Sequence, residues 1–302
     1  MTPTAHFFSS THTCPSELPL LANSILFHGD PVDERGSSAI ALGGASLAEK
    51  MLLTYDFENM TTTVGSRQVS ADRCVELLQP HVKDRNVVLE ATTLGFAELF
   101  CAVRVLITLQ VSRFQIIYVE PMDYSRTSPG GDSFELSELI SGYHPIPHSV
   151  VDLSSDEVEA GVFFLGYEPE RLARALEEYQ MISSKEVKVV FGVPAYQAGW
   201  ELNSIVPHLH ILSEQQKFNI AFCAANDPGS AFDCLEKTRQ SLTTGHRMFV
   251  APIGTKPCGI AAAVFASLFP SDVGLLYDHP QKKKRRSKGV NVWHRYAIRI
   301  DY

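Results

Sequence analysis

RMFVAPIGTKPCGIAAAVFASLFPSDVGLLY, residues 247–277, decides how the chain is read. Residues 248–251 are a short apolar run suited to a buried strand. Residues 252–257 break it with two prolines and a glycine, and an alanine-rich apolar segment, 258–269, follows. A second apolar run, 273–277, closes the stretch. Strand, tight turn, helix and strand make a βαβ unit, which joins parallel strands. Gly254 lets the backbone bend and come close to a ligand. Thr255 stands as the N-cap and Pro257 at the first helical position, where its missing N–H costs nothing. The next free N–H groups point out of the helix start, beside the ammonium of Lys256. That is a natural seat for a phosphate or carboxylate. The same residues also read as a well-made turn with a solvated lysine.

The 302 residues are 45% hydrophobic, enough for one large or two modest domains. With 26 basic and 34 acidic residues the net charge is −8, which argues against a generally basic nucleic-acid binder. No run approaches the roughly 18 apolar residues of a membrane span. The first residues lack the basic start and apolar core of a secretory signal. Six cysteines without a C-x-x-C pair sit mostly in apolar segments. They predict core thiols of a reduced, cytoplasmic protein, without disulfides or zinc. Tyr143, His144 and His148 have no further ligands at metal spacing, so no metal is expected.

Working outward, residues 1–26 read as a polar N-terminal arm, and 25–28 as a short strand. Residues 33–38 read as a loop. Residues 50–57 and 61–64 read as a strand and its hairpin partner. The spacing of Val69, Cys74, Leu77 and Leu78 predicts a helix. A second βαβ unit follows: strand 86–91, turn Thr92-Thr93-Leu94-Gly95, helix 96–109 and strand 114–119. Residues 122–160 form a proline- and serine-rich connection. Strands are expected at 161–165, 187–191 and 218–224. Helices are expected from Pro169 to about Tyr179, over 202–215 and over 231–242. The basic loop 282–288 leads into 292–300, which alternates as an edge strand would. The fold class is therefore α/β, with doubly wound, mostly parallel sheets in two Rossmann-like halves, 27–121 and 161–302. Ligands of such sheets bind outside the carboxyl ends of the strands, which puts the polar turns on one rim.

A Rossmann-like sheet with Gly254-Thr255-Lys256-Pro257 opening an alanine-rich helix resembles the CARF domains, sensors of cyclic oligonucleotides in prokaryotic antiviral systems. The strand and turn VVLEATT, residues 87–93, is similar to their second ligand-bordering turn. The resemblance implies a phosphodiester ligand, usually bound across a homodimer. It implies phosphate contacts from Gly254, Thr255 and Lys256, with Thr92 and Thr93 close by. CARF proteins commonly carry an effector domain, and none is recognisable here, which implies a separate effector partner.

Each candidate has a plainer reading. Thr92 and Thr93 also suit helix capping, Glu168 a helix dipole, and Arg171 a surface role. Asn226 and Asp227 form a turn signal, although an acidic strand end can also hold a ribose hydroxyl. The run Lys282, Lys283, Lys284, Arg285 and Arg286 reads either as a solvated loop or as a local contact with nucleic acid or phosphates. A dinucleotide fingerprint, a P-loop and a nucleophile elbow are all missing from the sequence, and Gly43-Gly44 lacks its third glycine. No cofactor is expected. The leading expectation is a nucleotide or cyclic oligonucleotide sensor. A nucleotide-cleaving enzyme that holds substrate with the basic loop, and a scaffold subunit without a small ligand, remain as alternatives.

Overall fold

The computed structural model describes residues 3–42, 47–126, 134–215, 217–243 and 246–302. The chain divides into two compact units: Met1–Ser125 with Lys284–Tyr302, and Arg126–Lys283. This differs from the boundaries expected above, because the C-terminal residues belong with the N-terminal unit. Gly43 and Gly44 lie outside the described residues.

The first unit is built on an eight-stranded sheet. Its strands are β1 (Thr4–His12), β2 (Ser24–His28), β3 (Leu47–Asp56), β4 (Thr61–Val64), β5 (Arg67–Ser70), β6 (Asn86–Glu90), β7 (Arg113–Val119) and β17 (Trp293–Asp301). They lie in the order β1-β17-β7-β6-β2-β3-β4-β5. The four central strands are parallel, and both flanks are antiparallel. Apolar residues of β2, β6 and β7 are buried on both faces, as parallel strands covered by helices require. The helices are α1 (Glu34–Ala41), α2 (Cys74–Val82) and α3 (Phe96–Thr108). A two-stranded ribbon, β8 (Asp123–Tyr124) with β16 (Ser287–Lys288), brings the two chain segments together.

Three expectations fail here for physical reasons. Residues 33–38 are not a loop, because the Asp33 carboxylate accepts from the Gly36 N–H at 3.1 Å and caps α1. Residues 69–78 are not one helix, because β5 occupies the first of them. β17 is not an edge strand. It lies between β7 and β1, and the supposed polar arm supplies the edge. β1 has only Phe7 and Phe8 as large apolar residues, so no alternation announces it; its pairing along nine residues of β17 holds it.

The second unit is a five-stranded, wholly parallel sheet. Its strands are β10 (Val158–Phe164), β11 (Glu186–Gly192), β12 (Phe218–Cys223), β13 (Arg247–Pro252) and β14 (Val273–Leu275). Helices α4 (Pro169–Glu178), α5 (Trp200–Ser213), α6 (Pro228–Gln240) and α7 (Lys256–Leu268) connect them. Each helix joins successive parallel strands, as βαβ units demand. A short ribbon, β9 (Ser137–Ile140) with β15 (Pro280–Lys282), completes the unit. One core lies on the α4 side, around Phe163, Leu172, Val189, Phe191 and Phe249. On the other side, α7 is buried at every position from Pro257 to Leu268. Its four alanines let it press close to the sheet, and Gly161 leaves the room that the Phe249 ring occupies. Among the described residues no helix is long and apolar enough to cross a membrane.

Candidate functional site

In the second unit the order β12-β11-β10-β13-β14 fixes one special place. The chain moves outward from β10 through β11 to β12, then returns to the other side of β10 for β13 and β14. Chain order therefore reverses between β10 and β13. In open α/β sheets the crevice at such a reversal, beyond the carboxyl ends, is where ligands bind. The turns there are Gly166-Tyr167-Glu168 and Gly254-Thr255-Lys256.

The two turns lie in close contact. A Cβ on Gly254 would stand 2.9 Å from the Leu165 carbonyl oxygen, and one on Gly166 would stand 3.0 Å from that of Ile253. Both glycines are thus fixed by packing. Gly254, Thr255 and Lys256 are all half-buried. Thr255 is the N-cap residue of α7 by backbone position, with Lys256 and Pro257 opening the helix. Its hydroxyl does not cap. It donates to the Ala225 carbonyl at 2.9 Å and also lies 3.2 Å from the Cys258 sulfur. This ties the α7 start to the end of β12.

Other expected ligand residues are engaged within the protein. Arg171 is buried within α4 and forms a bidentate pair with Asp278, at 2.7 and 2.5 Å. Its third bond, at 3.0 Å, goes to the Ile253 carbonyl. Burial opposes its charge, but Asp278 outweighs burial and holds the guanidinium protonated well above the usual range. Glu168 accepts from the Leu136 and Ser137 amides at 2.9 and 2.8 Å, and from the Ser137 hydroxyl at 3.0 Å. It pins the chain leading into β9. Asp227 caps α6 through the Gly229 and Ser230 amides, while Asn226 is exposed. The turn reading of that pair describes its geometry.

Thr92 and Thr93 belong to the other unit and are buried. Thr92 Oγ1 accepts from the Val119 amide at 2.9 Å, and Thr93 Oγ1 accepts from the Gly29 amide at 2.9 Å. Thr93 Oγ1 also donates to Glu90, whose carboxylate folds back onto the amides of both threonines. These hydroxyls lock the end of β6 to those of β2 and β7.

The basic run is a solvated turn only at its middle. Lys282 closes β15 and Lys283 pairs with Glu135. Lys284 and Arg285 are exposed. The Arg286 guanidinium is half-buried beside Arg35, and burial together with that neighbour pushes its pKa down. Arg285 and Lys288 reach a cleft of about 640 Å³ in the first unit, between the α1 start (Asp33, Glu34, Ser37, Ser38) and Ser287. Behind it Arg35 donates to Asp33 at 2.7 Å, to Ser287 at 2.9 Å and to the Val119 carbonyl at 3.1 Å. Burial would raise Asp33, but Arg35 and Ser287 hold it below the usual carboxylate range.

Sequence reasoning also missed Glu120 and His294. They meet at 2.9 Å, and Asn291 donates to the second Glu120 oxygen at 3.0 Å. Nothing local connects residues 174 apart in sequence. Both are buried, with 4% or less of either side chain exposed, so the pair fastens β17 to β7 and presents nothing to a substrate. Among the described residues no cluster of three or more His, Cys, Asp or Glu is placed to hold a metal ion. No family model matches the chain, and no curated protein sequence matches it.

Proposed function

We propose that this chain is a nucleotide sensor, binding a nucleotide or cyclic oligonucleotide at the rim of the second unit. The ligand's phosphate sits on the first turn of α7, contacted by Gly254, Thr255 and the Lys256 ammonium. In this reading both units are Rossmann-like, and the sensing role is that of the CARF domains which the Gly254–Pro257 turn resembles. A separate effector and an antiviral setting follow from that resemblance alone. The supporting observation is the coincidence of the glycine turn with the reversal of chain order between β10 and β13. That crevice is the usual ligand position of open parallel sheets, and a helix start there directs N–H groups and partial positive charge at an anion. The paired Arg171 and the capping Asp227 shape this rim without facing the ligand.

The test is calorimetric titration with a panel of mono-, di- and cyclic oligonucleotides. One of them releases heat and raises the melting temperature. Lys256→Ala weakens that binding about tenfold, the scale of one charge-assisted phosphate contact. Lys283→Ala, whose ammonium already pairs with Glu135, leaves it unchanged. No heat and no shift in melting for any member overturns the proposal.

A further inference from the structure

The edge of the second sheet at β12 carries an unpartnered apolar surface. Leu202, Val206 and Leu209 of α5 are each between 51% and 58% exposed, and so are Ile220 and Phe222 of β12. The helical residues follow the spacing i, i+4, i+7, which is one stripe. Ile220 and Phe222 sit in register with Val189 and Phe191, whose side chains lie in the core beneath α5. The strand residues therefore face the same side as the helix. Ile205 and Leu212, on the flank of α5 next to the stripe, pack on the same core as Phe218 of β12. Stripe and strand thus form one continuous strip.

The other edge of this sheet is closed. β14 has only three residues, all buried, and the Leu275 N–H donates to the Ser149 carbonyl at 2.8 Å. β12 has no such cover among the described residues, no proline and no inward-facing charge. Lys217 and Cys223 turn their carbonyls to β11. By alternation, Ile220 and Phe222 turn both backbone groups to the open side. Exposed, uncharged edges of this kind pair with another strand unless blocked.

We propose that β12 and α5 form the interface of a homodimer, with the two-fold axis passing through Ile220. A two-fold axis sets the two β12 strands antiparallel, so the five-stranded sheets join into one of ten. Ile220 then faces its own copy, and Phe222 faces Phe218 of the second copy. All three lie on the helix side, so the apolar stripes of the two α5 helices close over the junction. The patch complements itself in shape and carries no charge for a different partner to match, as an isologous interface requires. A large side chain carries on the order of 150–200 Å². Half-exposure of five gives roughly 500 Å² per copy, near the top of the largest patch on an ordinary monomer. Two copies bury about 1,000 Å² from these side chains alone, and the paired backbones and polar rim bring the total into the range of stable dimers, about 1,200–2,000 Å². This inference does not rest on the ligand reading.

The test is sedimentation of the full chain across concentration, with cysteine crosslinking. The chain sediments at twice its own mass at micromolar concentration. Ile220→Lys, at a position already in solvent, keeps the far-UV spectrum and melting profile but weakens dimerisation at least tenfold. In an antiparallel hydrogen-bonded pair the facing Cα atoms lie about 5.5 Å apart, within disulfide range. Ile220→Cys therefore gives an oxidant-dependent dimer on non-reducing gels. Ser271→Cys, exposed at the β14 edge and four strand spacings from β12, lies roughly 40 Å from its copy in this arrangement and gives no more crosslink than the unmodified chain. A chain that stays monomeric up to about 100 μM, a dimer indifferent to Ile220→Lys, or equal crosslinking at positions 271 and 220 overturns the proposal.

Discussion

At Arg171 a guanidinium is surrounded by protein, and its charge persists because Asp278 meets it along both edges. Removing one partner of a buried pair leaves the other charge uncompensated, at a cost of about 3–5 kcal/mol. Asp278→Asn should therefore destabilise the second unit by that order, read from urea unfolding followed by Trp200 fluorescence. Arg171→Met with Asp278→Leu should recover much of the loss, because a well-packed apolar pair replaces a desolvated ionic one. Beside this pair His279 is held neutral. Burial pushes its imidazole down to about 4, and the hydrogen bond to the His144 carbonyl only partly offsets this. A folded pKa below the unfolded value of about 6.5 means that the unfolded chain binds the extra proton between those limits. Stability is complete above about pH 6.5 and falls as pH drops toward 4. From this residue alone the second unit should lose about 2 kcal/mol between pH 7 and pH 5. His279→Gln should flatten that slope in urea titrations at the two pH values. The sequence contained no hint of either device. Arg171 read as a surface residue of a helix start, since its partner is 107 positions away. Gly254 was legible, because its role is local: a backbone that bends between a strand and a helix.

Elements whose pattern is complete within some thirty residues were legible for the same reason. The segments around α3 and α7 show strand, turn and helix in sequence order, and their burial follows from composition. α1 was missed because its first turn, Glu-Arg-Gly, carries no apolar period, and only the Asp33 cap marks it. β1 and β17 were misplaced because edge or interior is a property of the sheet, not of the strand. β17 buries His294, Tyr296, Ile298 and Ile300 in alternation, which fits an edge and an interior strand equally well. Its place was decided by β1, whose sequence is nearly polar. A prediction belongs at this scale. Deleting residues 1–12 uncovers β17 along nine positions without removing a core side chain. The first unit should keep its fold but melt several degrees lower, and amide exchange should quicken in β17 while β6 stays protected. Equal protection of β17 in the truncated chain would show that the β1 pairing contributes little.

On the scale of the whole molecule, the second unit is an insertion. The first unit runs to Ser125, is interrupted, and resumes at Lys284. This was the least legible feature, since 282–288 read as a loop between neighbouring elements rather than as the return from an excursion. The ribbon of β8 and β16 shows where the insertion enters and leaves. Tyr124 pairs with Ser287, Asp123 pairs with Lys288, and the Ser125 amide donates to the Arg286 carbonyl at 2.9 Å. Ser125 and Arg286 are thus opposite one another in an antiparallel ladder, and joining Ser125 to Lys284 leaves Lys284-Arg285 as a two-residue hairpin loop. A type I′ loop needs positive φ at both positions, and Arg285 already has φ of 57°. Replacing the two residues by Asn-Gly supplies the preferred turn. Each unit also has its own core, one including Leu26, Val88, Ile117 and Trp293, the other including Phe163, Leu172, Val189 and Phe249. The spliced first unit, 1–125 joined through Asn-Gly to 286–302, and the excised second unit, 126–283, should therefore each fold alone. The two tryptophans make this measurable, because Trp293 reports on the first unit and Trp200 on the second. In the intact chain, Trp200→Phe and Trp293→Phe variants isolate each signal. Each excised unit should unfold in urea with the midpoint of its own tryptophan in the intact chain, within about 0.3 M if the two are energetically independent. A unit that unfolds without a cooperative transition once separated would show that its core depends on the other.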